Sequence, residues 1–184
     1  LLIGPGLGRS PQTDSLVTEL IRNRTRSPIV FDADALNVLA DNQDLYASLG
    51  PQMVLTPHPG ELRRLSSEAD VPEGRTRIRL SENLASTTNA TIVAKGSPTI
   101  VAGNKFTWIL ARPNPVLATA GSGDVLAGSI AGLLAQGIPP IAAARLGVWL
   151  HCDAASITAG ESDRGIPIEQ IAQAIEPALQ KTRL

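Results

Sequence analysis

Only one cysteine, Cys152, occurs in 184 residues, so no disulfide can form within the chain and a reducing, cytoplasmic setting is expected. Histidine is nearly as scarce, and His58 and His151 without a second thiol allow no zinc constellation. The net charge is −1, and the one basic cluster, Arg22-Asn23-Arg24-Thr25-Arg26, reads as the solvated end of a helix, so nucleic acid is not an expected partner. Long hydrophobic runs are missing too. The most apolar stretch, Ile138 to Ile157, contains Pro139, Pro140, Arg145, His151 and Asp153, which makes it a buried helix rather than a membrane span. There is no initiator Met and no signal-peptide pattern. The chain opens inside the apolar run Leu1-Leu2-Ile3, and a preceding section is therefore expected.

What is present is an alternation of short apolar runs and amphipathic stretches. Leu1 to Ile3, Ile29-Val30-Phe31, Met53-Val54-Leu55 and Thr91-Ile92-Val93-Ala94 read as strands, whereas Pro11 to Arg22 places Leu16, Val17, Leu20 and Ile21 on one helical face. A helix closed by Gly50-Pro51, a polar-faced helix over 75–90, a helix from Val125 to Gln136 and another from Pro140 to about Ala159 follow the same logic. Ile168, Ile171, Ala172 and Ile175 mark a last helix that Pro177 bends or ends. Ile100-Val101-Ala102 and Lys105 to Leu110 flank Gly103-Asn104, a hairpin signal. The prediction is a single α/β domain over 1–184, with a mostly parallel central sheet flanked by helices and an antiparallel hairpin at its edge.

The loops after these strands carry the chemistry. In Ala118-Thr119-Ala120-Gly121-Ser122-Gly123-Asp124 a small-residue loop turns into an apolar helix, whose first amides lack intrahelical acceptors and attract anions. Glycines 121 and 123 let a phosphate oxygen approach the main chain. Asp124 beside that pocket has three possible tasks: holding Mg²⁺, capping the helix, or taking a proton from a hydroxyl that attacks phosphorus. Gly4-Pro5-Gly6-Leu7-Gly8 fails the dinucleotide fingerprint because Arg9 stands where its third glycine belongs, yet it still lets a ligand lie against backbone. Asp32 and Asp34 end a strand and are candidates for ligand or metal, with Asp34 alternatively a helix cap. His58 sits between two prolines, and Glu61 is either functional or a first-turn carboxylate. Lys95 at a strand end is a candidate phosphate contact outside any P-loop frame. Trp149, His151 and Cys152 read as packing or interface residues.

Gly4-Pro5-Gly6-Leu7-Gly8, Asp32-Ala33-Asp34-Ala35-Leu36-Asn37, Leu55-Thr56-Pro57-His58-Pro59-Gly60-Glu61, Ala94-Lys95-Gly96 and Ala120 to Gly128 together resemble the ADP/ATP-dependent NAD(P)H-hydrate dehydratases, a ribokinase-like family. The resemblance covers essentially the whole chain and corresponds to the C-terminal two-thirds or so of the family domain, N-terminally truncated. It implies a repair reaction in which ADP or ATP, with Mg²⁺ as phosphate counter-ion, phosphorylates the ring hydroxyl of hydrated NADH or NADPH. Phosphate then leaves to restore the double bond.

By the same resemblance Asp124 is the base, and Gly121, Ser122 and Gly123 form the anion hole. Lys95, Gly96, Ser97, Pro98 and Thr99 contact the nucleotide, while Gly6, Gly8 and His58 line the hydrate side. Asp34, Asn37 and Glu61 are further candidates, and no metal ligand is named. Arg112-Pro113-Asn114-Pro115 stands where the family has a Gly-Asn-Pro stretch. A small-molecule kinase of the same fold and a truncated, non-catalytic nucleotide-binding protein are the alternatives. An incomplete sheet would leave an edge strand for a second copy to cover, so a homo-oligomer is expected.

Overall fold

The computed structural model describes residues 1–23, 27–66, 76–159 and 165–182. Six strands form one sheet in the order β1-β2-β3-β4-β5-β6: Leu2–Ile3, Ile29–Phe31, Met53–Leu55, Thr91–Ala94, Thr99–Gly103 and Phe106–Leu110. β1 to β4 run parallel, and β5 and β6 continue the sheet antiparallel. Helices α1 (Pro11–Arg22), α2 (Asp34–Asp41), α3 (Pro59–Ser66) and α4 (Thr76–Thr88) fill the connections between parallel strands. All four pack on one face of the sheet, as the right-handed preference of such crossovers requires. The other face is covered by α5 (Ser122–Ala135), α6 (Pro140–Thr158), α7 (Ile168–Gln173) and α8 (Ile175–Gln180).

Strand residues divide between these layers with the expected period of two. Ile29, Phe31, Met53, Leu55, Ile92 and Ala94 pack with Val17, Ile21, Leu36, Leu39, Leu62 and Leu80 of the first helical layer. Val30, Val54, Val93 and Val101 pack with Leu126, Ile130, Val148 and Ala155 of the second. Both faces of the central strands are apolar because both are covered.

Four boundaries differ from the sequence reading. The helix placed up to Gly50 ends at Asp41, and a 3₁₀ helix, Gln43–Ser48, completes the span. The hairpin register pairs Gly103 with Phe106, so its turn residues are Asn104 and Lys105 rather than Gly103-Asn104. α5 begins at Ser122, three residues before the predicted start, since Gly121 takes a left-handed φ of 83° that ends the preceding turn. The last helix breaks at Ala174, ahead of Pro177, whose missing N–H cannot serve the Gln173 carbonyl. The basic cluster extends into residues 24–26, and the loop reading at Glu161 to Arg164 also falls outside the described residues.

Candidate active site

Parallel strands deliver their C-terminal ends to one rim, and the motif loops leave from it. Gly4 follows β1 with φ 130°, and an added Cβ would come within 1.7 Å of the Asp32 carbonyl oxygen. Only glycine permits that approach of two loops. Next to it Ala33 holds φ 47° and ψ −118°, a glycine-type conformation that costs an alanine roughly 1–3 kcal/mol. The sharp turn sends two nearby carboxylates to different partners. Asp32, 1% exposed, receives the Lys95 ammonium at 2.7 Å. Asp34 accepts the Gly8 N–H at 2.9 Å, and its other oxygen takes Asn37 Nδ2 at 3.4 Å. Asp34 is therefore the first helical residue and a tether for the glycine loop, rather than a cap; the N-cap is Ala33.

After β3, His58 opens α3 in a reciprocal capping arrangement. Its Nδ1 accepts the N–H groups of Gly60 at 3.0 Å and Glu61 at 3.4 Å, while its own N–H donates to Glu61 Oε2 at 2.7 Å. The geometry is that of a capping box with imidazole as acceptor. Since Nδ1 accepts, the ring proton resides on Nε2, 3.4 Å from Glu61 Oε1. Glu61 is 6% exposed and engaged in this turn.

The segment Lys95 to Thr99 is held from two sides. The Lys95 N–H donates to the Pro57 carbonyl at 2.8 Å, which ties it to the His58 loop. Arg77 of α4 donates through Nη2 to the carbonyls of Ala94, Lys95 and Pro98 at 3.2, 2.9 and 2.9 Å. Thr99 Oγ1 donates to the Gly96 carbonyl at 2.9 Å.

At the start of α5, Ser122 N–H donates to the Thr119 carbonyl at 3.1 Å, and the N–H groups of Asp124 and Val125 donate to that of Gly121 at 3.0 and 3.1 Å. The Gly123 N–H has no acceptor among the described residues. A Cβ on Gly123 would stand 3.2 Å from Lys95 Nζ, so the ammonium lies beside the first turn of α5 that carries this open amide. Behind them Ser122 Oγ lies 3.1 Å from His151 Nε2, with both side chains buried. Burial, with the Lys95 charge adding to it, lowers the His151 pKa to about 4 against the opposing Ser122 contact, so the imidazole is neutral.

The Lys95 segment, the start of α5 and His151 border a cavity of about 470 Å³. Of the residues singled out in the sequence, His58, Lys95, Gly96, Ser97, Thr99, Ser122 and Gly123 line it. Pro98, Gly121, Asp124, Gly6, Gly8, Asp34, Asn37 and Glu61 do not. Asp124 is exposed, one residue and so about 100° around the helix from Gly123, on the flank beside the lining. Gly6, Gly8, Asp34 and Asn37 belong to the β1–β2 end of the rim, and Arg64 Nη2 reaches Asn37 Oδ1 at 2.9 Å.

The sequence reading missed His151, which is part of the cavity wall rather than plain packing, and it left Asp32 undecided. Arg112, Asn114 and Cys152 also line the cavity. No local pattern marks Cys152 or His151, because α6 brings them to the pocket from far along the chain. Among the described residues no group of three or more His, Cys, Asp or Glu could hold a metal ion. No described helix is long and apolar enough to cross a membrane.

Comparison with known proteins places this geometry. A family model described as NAD(P)H-hydrate dehydratase matches residues 1–177. The bifunctional NAD(P)H-hydrate repair enzyme Nnr of Moorella thermoacetica is 46% identical over 153 residues, covering 82% of this chain and 28% of that protein. The ADP-dependent (S)-NAD(P)H-hydrate dehydratase of Neisseria meningitidis is 36% identical over 185 residues, covering 99% of this chain and 62% of that protein. The ADP/ATP-dependent NAD(P)H-hydrate dehydratase of Bacillus subtilis, co-crystallized with ATP/Mg²⁺ and soaked with CoA, superposes with a TM-score of 0.79 at 25% identity, covering 98% of this chain and 65% of that one. The chain thus spans less than two thirds of the length of these relatives. The fold is ribokinase-like, as expected. By the family match and by the run of loops along its rim, this chain belongs to the NAD(P)H-hydrate dehydratase family.

Proposed function

We propose that this chain carries the phosphoryl-transfer half of a nucleotide-dependent dehydration of hydrated NADH or NADPH, with ADP or ATP as donor and Mg²⁺ travelling on the phosphates. The observation that carries the reading is that Lys95 Nζ lies beside Gly123, whose amide is open at a helix N-terminus, in a cavity that His58 also lines. A phosphate there gains a cation, an unpaired backbone donor and the helix dipole together. Lys95 to Thr99 hold the nucleotide, and Gly121 to Gly123 surround the transferred group. Gly6, Gly8 and His58 receive the hydrate.

Asp124 in this reading is the general base. It takes the proton of the ring hydroxyl as that oxygen bonds to phosphorus and the nucleotide leaves one phosphate shorter. The resulting ester then expels phosphate, a far better leaving group than hydroxide, and the ring loses a proton to restore its double bond. Exposure of Asp124 on the flank of α5, which packs against β1 and β2, supports access to a substrate held by the glycine loop that follows β1. The chain acts as one domain and forms a homo-oligomer.

Incubation with hydrated NADH and ADP tests the reading. Restored reduced-nicotinamide absorbance supports it, whereas a stable phosphorylated product would assign a small-molecule kinase instead. Asp124→Asn is expected to lower turnover by roughly 10²-fold or more, with ADP affinity nearly intact. Unchanged turnover would remove Asp124 from the role of base.

A further inference from the structure

Asp32 is the most deeply buried carboxylate on the rim, and its carboxylate meets the Lys95 ammonium at 2.7 Å. Two local distortions place it there: Gly4 must lack a Cβ to clear its carbonyl, and Ala33 is turned into a conformation that alanine disfavours. Burying a carboxylate is costly, and a carboxylate beside an anion pocket weakens the pocket's positive field. On charge alone, the site would bind phosphate better without it. Its location makes sense if freedom, rather than charge, is what Lys95 must lose. Lysine is a point charge on a flexible stem. Here one of its three donor directions is fixed by Asp32, and the ammonium rests against Gly123, 3.2 Å from where a Cβ would stand.

We propose that Asp32 is a positioning residue that acts through Lys95, holding the ammonium on the first turn of α5 so that it and the Gly123 N–H receive the same phosphate. The identity of that phosphate as a nucleotide's rests on the function proposed above. Positioning and charge make opposite predictions for Asp32→Asn. Loss of positioning weakens ADP binding, and loss of the competing negative charge strengthens it.

Calorimetric titration with ADP of the whole chain, its Asp32→Asn and Lys95→Met variants and the double variant decides the matter, with thermal melts as a control for folding. Asp32→Asn is expected to weaken ADP about tenfold, and the double variant to bind within about twofold of Lys95→Met, because Asp32 has no further route to the ligand. Equal or tighter binding by Asp32→Asn, or a double variant clearly weaker than Lys95→Met, overturns the proposal. Should either single variant fail to fold because one buried charge is orphaned, the double variant still reports. It leaves no unpaired ion, and wild-type ADP affinity in it overturns the proposal. Wild-type protein that binds ADP without dehydrating the hydrate would sink the function and leave this inference standing. Wild-type protein that binds no ADP sinks both.

Discussion

Replacing Gly123 by alanine should make the protein more stable and less able to bind nucleotide. Gly123 lies in the first turn of α5 with an ordinary helical φ, so alanine fits the backbone. Relative to glycine it removes unfolded-state freedom and gains helix propensity, about 0.5–1 kcal/mol. For a chain of this size that raises Tm by about 1–4 °C. The new methyl group would meet Lys95 at Nζ 3.2 Å, Cδ 3.8 Å and Cε 3.9 Å. Only the first distance is tight, and a lysine tip yields by a few tenths of an ångström, so folding is not opposed. The methyl also takes up space beside Lys95 Nζ that a phosphate approaching the first turn of α5 would need. Losing one charge-assisted hydrogen bond to phosphate costs about 1.5–3 kcal/mol, or roughly 10- to 100-fold in affinity. ADP titration by calorimetry, paired with a melt in the absence of nucleotide, reads both quantities on one sample. A raised Tm with unchanged ADP affinity would refute the claim that this amide receives the phosphate.

Two further predictions concern the supports of the site. An unfolded imidazole titrates near 6.5 and His151 in the fold near 4, so the unfolded chain takes up the proton first as pH falls. The stabilisation is complete above about pH 6.5 and drains away toward pH 4, about 2 kcal/mol of it by pH 5. His151→Gln, which retains a polar partner for Ser122, should flatten that loss. Urea unfolding at two pH values checks this, and an equally steep loss in the variant would count against it. Ala33→Gly should relieve strain at φ 47° by more than the added unfolded-state freedom, for a net gain of about 1 kcal/mol and a Tm rise of about 2–4 °C. A lowered Tm would mean that the turn is not strained.

The sheet and its helices were legible because strands such as Ile29-Val30-Phe31 and Met53-Val54-Leu55 are short apolar runs bounded by turn residues, and each is buried on both faces. The turn into α5 was legible for a different reason: glycines followed by an apolar helix admit few backbone paths. What escaped the sequence is relational. Asp32 and Asp34, two residues apart, were both candidates for ligand or metal, and only the turn at Ala33 assigns one to Lys95 and the other to Gly8. Glu61 read as a site candidate as readily as a first-turn carboxylate until His58 and Glu61 closed on each other's backbone amides. His151 reaches Ser122 across the sequence, a pairing that periodicity cannot register.

The single guanidinium tip that gathers the Ala94, Lys95 and Pro98 carbonyls has a consequence for how such proteins drift in evolution. Gly96 has φ 131°, and a side chain there would press within 2.8 Å of Arg77 Nη2. Position 96 is therefore not free to vary by itself. An incoming methyl evicts the arginine and releases all three carbonyls at once, while a shorter residue at 77 leaves the same acceptors stranded. Lineages that lose the arginine should still keep the glycine, whose backbone excludes a side chain on its own account, and the scar of that loss should appear in the Lys95 to Thr99 segment rather than at position 77.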